Sequence, residues 1–89
     1  MKLEKKKLPK WFNGKLYSEG ENVTNKFSGE SYDLTAEELS MYDFIMGSQW
    51  MIDQMGWLNP KTSKIQNEMA KGIAWFRKNN HEAYYVLLD

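Results

Sequence analysis

The chain has 89 residues and no cysteine, a length that accommodates one domain and excludes a two-lobed enzyme with a cleft between its lobes. The lack of cysteine excludes disulfides, thiolate metal sites and thiol nucleophiles. Twelve basic and twelve acidic residues give a formal net charge of zero. The chain as a whole is therefore not a polycation that coats nucleic acid.

Charge is distributed unevenly along the chain. Residues 1–10 carry five lysines and one glutamate, residues 18–59 carry eight acids and one lysine, and residues 60–80 carry five bases and one glutamate. The acidic and basic segments can attract one another within a monomer or between copies. The basic start predicts a flexible arm over residues 1–10 ahead of a single domain over residues 11–89, with a phosphate-binding role for the arm as the alternative.

Glycine-containing turns divide the first third of the chain. Asn13-Gly14, flanked by aromatic and apolar residues, predicts a hairpin with a type I′ turn. Residues 19–22 are typical of the next turn. Short strands on either side of Ser28-Gly29 then predict a second hairpin.

Three start signals coincide at the first predicted helix. Thr35 is a suitable N-cap, Glu38 completes a capping box, and Leu34 and Leu39 can form a hydrophobic staple. Gly56 fits the left-handed position that ends a helix. The sequence therefore predicts helix 1 over 36–55.

Helix 2 is predicted from Asn59-Pro60, with Thr62 or Ser63 as competing caps. One apolar stripe at helical period supports it, formed by Ile65, Met69, Gly72, Ile73 and Phe76. Residues 81–89 suit a short helix capped by Asn80, which we favour, or a strand. The predicted fold class is α+β: one or two short N-terminal hairpins, two packed antiparallel helices and a short C-terminal element.

Helix 1 has two apolar faces. At 100° per residue one arc holds Met41, Phe44, Ile45, Met51, Ile52 and Met55, and a second arc holds Leu39, Tyr42, Met46 and Trp50. The second arc is covered either by the chain's own hairpins or tail, or by a second copy or a foreign partner; aromatic residues, at 15% of the chain, favour such a partner. We take Leu39, Tyr42, Met46 and Trp50 as the candidate interaction surface.

Two glycines interrupt the predicted helices. Gly47 in helix 1 and Gly72 in helix 2 each cost about 1 kcal/mol relative to alanine. We expect a close approach of neighbouring backbones at both positions.

Residues suited to catalysis are sparse. His81, the only histidine, is predicted to be solvated or to cap a helix. Asp43 and Asp53 project about 80° apart on helix 1, too far for a carboxylate pair that acts on one bond. No metal-ligand spacing and no phosphate-binding loop is present. We therefore predict a protein that is not an enzyme, with no catalytic, cofactor or metal site and no cofactor.

The sequence from Leu8 to Asp89 resembles a small conserved protein family of marine tailed phages, notably those that infect cyanobacteria. The residues that carry the likeness are Leu8-Pro9-Lys10-Trp11-Phe12-Asn13-Gly14, Asn25-Lys26-Phe27-Ser28-Gly29-Glu30, the run from Glu38 to Gly47, and Trp75-Phe76-Arg77-Lys78-Asn79-Asn80 to the end. The chain has Lys26 and His81 where that family more often carries proline. The resemblance implies a viral origin and supplies neither an activity nor site residues.

These observations predict a phage-encoded accessory or protein-protein interaction protein that forms a homo-oligomer through the second face of helix 1, or binds a host or phage protein. No membrane span or signal sequence is found, so we expect a cytoplasmic location in the host and no membrane partner. The alternative is a small nucleic-acid-binding protein that uses the Lys-rich start, Trp11 and basic helix 2, with Lys61, Lys64, Lys71, Arg77 and Lys78.

Overall fold

The computed structural model describes residues 8–88 and shows the α+β architecture that the sequence predicts. An antiparallel hairpin precedes two long packed helices and a short third helix. The elements are β1 (Glu21–Thr24), β2 (Ser31–Leu34), α1 (Ala36–Met55), a 3₁₀ turn (Pro60–Thr62), α2 (Ser63–Asn79) and α3 (His81–Leu87).

One hairpin forms in the described residues, and it is the second of the two predicted. β1 and β2 pair with Val23 opposite Tyr32, and Leu34 at the end of β2 is buried. The connection between them turns at Gly29, whose φ is +80°. Because φ is positive there, glycine is the residue that adopts this turn without strain.

The predicted hairpin at Asn13-Gly14 is wrong. Gly14 lacks the positive φ of a type I′ turn, and no strand is assigned between residues 8 and 20. Instead the segment lies along α1: the Phe12 ring contacts Phe44 edge-on, with the ring centroids 5.4 Å apart, and the Tyr17 N–H donates to Ser40 Oγ at 2.9 Å. Packing of its aromatic rings onto the helix has overridden the local turn signal. The turn predicted at residues 19–22 is also displaced, because β1 begins at Glu21.

Helix α1 begins and ends where the sequence predicts. The Glu38 N–H donates to Thr35 Oγ1 and the Thr35 N–H donates to Glu38 Oε1, so both halves of the capping box are present. At the other end, Gly56 has φ +106° and its N–H donates to the Ile52 carbonyl. These contacts satisfy backbone groups that the helix itself leaves unpaired.

Glu38 also joins α1 to the far end of the chain. Glu38 is 2% exposed, and its Oε2 accepts a hydrogen bond from the Asn80 side chain at 2.9 Å. The same Asn80 side chain caps α3 by accepting from the Ala83 N–H. The predicted C-terminal helix and its Asn80 cap are therefore confirmed, and one buried carboxylate connects the starts of α1 and α3.

The link between the long helices is short and fixed by polar contacts. Asn59 accepts from the Lys61 N–H and caps the 3₁₀ turn, while the buried Thr62 hydroxyl donates to the Asn59 carbonyl at 2.8 Å. α2 then starts at Ser63, the later of the two predicted starts. A link of this length returns α2 antiparallel against α1.

The core forms where α1, α2, α3 and β2 meet. Its buried apolar residues are Leu34, Leu39, Met41, Ile45, Ile52, Phe76, Ala83 and Leu87. Leu8, within the arm predicted over residues 1–10, packs against this core, and residues 1–7 of that arm lie outside the described part. Of the first apolar face of α1, Met51 and Met55 are not enclosed and remain 44% and 41% exposed.

The two helix glycines have different surroundings. A Cβ built on Gly72 lies 3.0 Å from Met41 Sδ and 3.3 Å from Ile45 Cγ1. Gly72 is therefore closely packed, but against side chains of α1 and not against a neighbouring backbone as predicted. A Cβ on Gly47 meets nothing within 4 Å, so the close approach predicted for Gly47 is wrong within the described chain.

Removal of the Glu38 carboxylate is expected to destabilise the whole domain. Glu38→Ala leaves the Thr35 N–H and the Asn80 amide without an acceptor in a buried site, a loss of about 2–3 kcal/mol. Urea unfolding followed by circular dichroism measures it. Glu19→Ala, at an exposed position, is the control and should change the free energy of unfolding by less than about 0.5 kcal/mol; equal effects of the two changes would contradict the role assigned to Glu38.

Alanine substitution at the two glycines should change stability in opposite directions. Gly47→Ala should raise the free energy of unfolding by about 1 kcal/mol, because the new methyl group enters open space and the helix gains intrinsic propensity. Gly72→Ala gains the same propensity, but it should lower the free energy of unfolding because overpacking against buried Met41 and Ile45, at about 1–3 kcal/mol, outweighs that gain. Thermal unfolding of both variants at one concentration tests the pair, and a stabilised Gly72→Ala would contradict the close packing.

Candidate functional site

The structure divides the predicted interaction surface along the length of α1. Leu39 is buried in the core and is not available to a partner. Tyr42 is partly buried, with its ring centroid 6.5 Å from that of Phe76. Met46 and Trp50 are 40% and 66% exposed. The hairpin and α3 pack near the start of α1, so the second half of this face is left uncovered.

The uncovered part continues as a ridge along α1. At 100° per residue, Asp43, Met46, Trp50 and Asp53 fall within an arc of about 80°, on the opposite side of the helix from buried Ile52. Apolar side chains occupy the middle of this ridge and carboxylates lie near its two ends. We call these four residues the α1 ridge.

A groove runs beside the ridge, between α1 and the connection from β1 to β2. Its volume is about 330 Å³. Tyr42, Met46 and Gln49 line it from α1, Lys26 and Phe27 line it from the connection, and Leu87 and Leu88 line it from the end of the chain's last helix. The groove is mostly apolar and lies open to solvent.

Phe27 is the most conspicuous member of this surface, because its side chain is 100% exposed. Sequence reasoning missed it and placed it at the end of a strand. Its position directly before Ser28-Gly29 was the available signal, since a residue beside a tight turn is held at the surface.

Hydrogen bonds fix the connection that presents Phe27. Asn25 Oδ1 accepts from the Phe27 N–H at 2.8 Å and, more weakly, from the Ser28 N–H at 3.4 Å. Asn25 Nδ2 donates to the Val86 carbonyl at 2.9 Å, which ties the connection to α3. An Asx turn of this kind holds the backbone in one shape, so Phe27 projects from an ordered support.

The ridge and the connection carry opposite charges. Lys26 precedes Phe27, whereas Asp43 and Asp53 lie on the ridge. Asp53 accepts a hydrogen bond from Trp57 Nε1 at 2.7 Å. Within residues 8–88, neither the Lys26 ammonium nor the Asp43 carboxylate forms an ion pair. One positive and two negative groups therefore border the same exposed apolar surface.

Further apolar side chains are exposed where α1 ends. Trp57 is 46% exposed and Leu58 is 98% exposed, beside Met51 and Met55. A second, shallower groove of about 320 Å³ lies across α1, between Met51 and the Asn13-Gly14 segment. The exposed apolar surface is therefore concentrated on the second half of α1 and on the segments next to it.

Two tyrosines have raised pKa values, and both shifts have structural causes. The Tyr32 hydroxyl donates to Glu82 Oε1 at 3.1 Å, and this bond is the main reason that the pKa of Tyr32 is raised. Burial raises the pKa of Tyr42. His81 is exposed and its ring lies 4.9 Å from that of Tyr85. Residues 8–88 contain no cluster of three or more His, Asp or Glu side chains placed to hold a metal ion.

The basic residues of the alternative function lie on the surface. Lys64, Lys71 and Lys78 of α2 are exposed and recur every seven residues, so they form one stripe with about 10.5 Å between neighbours. Arg77 is turned away from this stripe, with its guanidinium 5.7 Å from the Tyr84 ring. Trp11 is partly buried against Phe44 and so is not a free platform for stacking bases.

Comparison with protein families, curated proteins and solved structures finds no match to the chain. Among residues 8–88, no helix has the length and apolar content needed to cross a membrane.

Proposed function

We propose that the protein is a non-enzymatic interaction protein that self-associates through the α1 ridge and the adjoining groove. The observation that carries the proposal is Trp50, which is 66% exposed on the side of α1 turned away from the core. Tryptophan buries more apolar area than most side chains, and it is enriched among residues that dominate binding energy.

The position of Trp50 supports the proposal because neighbouring apolar residues share its surface. Single exposed apolar residues are common and need no explanation, whereas contiguous patches mark interaction sites. Met46 lies one turn before Trp50 on the ridge, and Phe27 lies across the groove that Met46 lines. Methionine adapts its shape to a partner, which suits it to such a surface.

The size of the patch is compatible with a dimer. Phe27, Trp50 and Met46 together expose about 400 Å² of side chain, from the typical area of aromatic side chains and their exposed fractions. A standard interface buries about 800 Å² on each partner, in which an apolar centre is surrounded by a polar rim. Gln49, Asp43 and Lys26 supply polar groups around this centre.

The biological setting follows from the resemblance to proteins of marine tailed phages. On that basis the protein acts in the cytoplasm of the infected cell as an accessory factor. The alternative to self-association is that a host or phage protein binds the same ridge.

Trp50→Asp is expected to dissociate the oligomer. A carboxylate in the centre of an apolar interface loses its hydration without gaining a partner. The association free energy should therefore weaken by at least as much as loss of one anchor residue would weaken it. Light scattering coupled to size exclusion should show an oligomer for the native chain and a monomer of 10.5 kDa for the variant. Circular dichroism checks that α1 stays folded.

Tyr85→Asp is the matched control. Tyr85 is also an exposed helical aromatic, 60% exposed, but it lies on α3. We expect this variant to keep the mass of the native oligomer. A native chain that stays monomeric at high concentration would overturn the proposal.

Nucleic-acid binding is the second candidate, and the Lys64, Lys71 and Lys78 stripe favours it. If the stripe bound phosphates, affinity for single- or double-stranded DNA or RNA would fall steeply with salt, and Lys71→Glu would weaken binding. We expect no shift of labelled probes at low salt, because Glu68 borders the stripe. If a DNA or RNA probe binds in a salt-sensitive way and Lys71→Glu abolishes that binding, nucleic-acid binding is the better assignment of function.

A further inference from the structure

We infer that the Phe27 ring of one copy occupies the groove of a second copy, and that the second copy's Phe27 occupies the groove of the first. This inference rests on the proposed self-association and names the contact that produces it. The occupant of the groove is therefore another copy of this chain.

The first argument is that the projecting ring and the apolar groove share one surface. Phe27 is fully exposed, and the groove beside it is lined by Tyr42, Met46 and Leu88. A two-fold interface uses the same patch on both subunits, so that patch must be complementary to itself. A ring and a groove side by side meet this requirement, because one rotation places each ring in the opposite groove.

The second argument is that Phe27 is already held in place. Asn25 accepts from the Phe27 N–H, and its side chain anchors the connection to the Val86 carbonyl. A side chain on an ordered backbone loses little freedom on binding, so more of its burial energy appears as affinity. Because Phe27 is fully exposed, contacts within its own chain do not bury the ring.

The third argument is charge. Lys26 immediately precedes Phe27, and the ridge beside the groove carries Asp43 and Asp53. When the connection of one copy lies across the ridge of the other, the ammonium approaches these carboxylates. Opposite charges at the rim fix orientation and speed association, and the arrangement occurs twice in a symmetric pair.

Phe27→Ser tests the anchor without disturbing the fold, since the side chain is fully exposed. Sedimentation equilibrium of the full chain should show a dimer whose dissociation constant rises at least about tenfold in this variant. Leu16→Ser is the matched control, because Leu16 is 71% exposed and does not line the groove. We expect it to leave the dissociation constant within about threefold of the native value.

Cross-linking tests where the ring is seated. The chain has no cysteine, so two single-cysteine proteins, Thr24→Cys and Gln49→Cys, can be mixed and oxidised. Both positions line the groove and neither is an apolar anchor. A disulfide-linked heterodimer should form, whereas Lys15→Cys mixed with Gln49→Cys should give none, because Lys15 does not line the groove.

The outcomes separate the inference from the proposed function. If the native chain is a monomer at every concentration, both are overturned, and a foreign partner is the remaining occupant of the groove. If Trp50→Asp dissociates the dimer but Phe27→Ser does not, self-association stands and the Phe27 contact is refuted. If Phe27→Ser weakens the dimer but Thr24→Cys and Gln49→Cys do not cross-link, the ring is seated elsewhere and the groove assignment is refuted.

Discussion

The buried carboxylate of Glu38 is the interaction on which the rest of the fold depends. It accepts hydrogen bonds from the Thr35 N–H and from the Asn80 side chain, and Asn80 in turn caps α3. The start of α1, the end of β2 and the junction of α2 with α3 are thereby drawn to one place. A buried charge is costly unless it is fully hydrogen-bonded, so the native arrangement of these four elements is strongly specified against alternatives that separate them.

This arrangement also determines which surface is left uncovered. The contacts around Glu38 lie at the start of α1, whereas the helix is 20 residues long and ends at Met55. α2 covers one side of the helix, whereas on the opposite side of the second half Met46 and Trp50 remain exposed. The exposed Met46 and Trp50 are therefore a consequence of helix length and of where the hairpin and α3 are held. Any function that uses these side chains follows from that geometry.

Helix ends that depend on residues close together in the sequence were predicted correctly. The capping box at Thr35, the glycine at 56 and the Asn80 cap each involve residues only a few positions apart, so their outcome could be predicted from the sequence. The hairpin at Asn13-Gly14 failed because the rings of Trp11 and Phe12 gain more by packing on Phe44 than by framing a turn. Likewise, helical periodicity grouped Leu39 with Trp50, because it gives angle and not position along the helix. Only tertiary packing could show that one is buried and the other is exposed.

The second half of α1 is intrinsically the weaker half. It contains Gly47, which gains nothing from packing within the described chain, and its last turn has no basic residue to interact with the helix dipole. Helices of this kind owe their stability mainly to burial of an apolar face. A partner across the ridge would bury the outward face as α2 buries the inward one, and the stability of this half would then rise with protein concentration. Assembly would thus couple to local folding through the same side chains, because Trp50 would stabilise the helix to the extent that a second surface covers it.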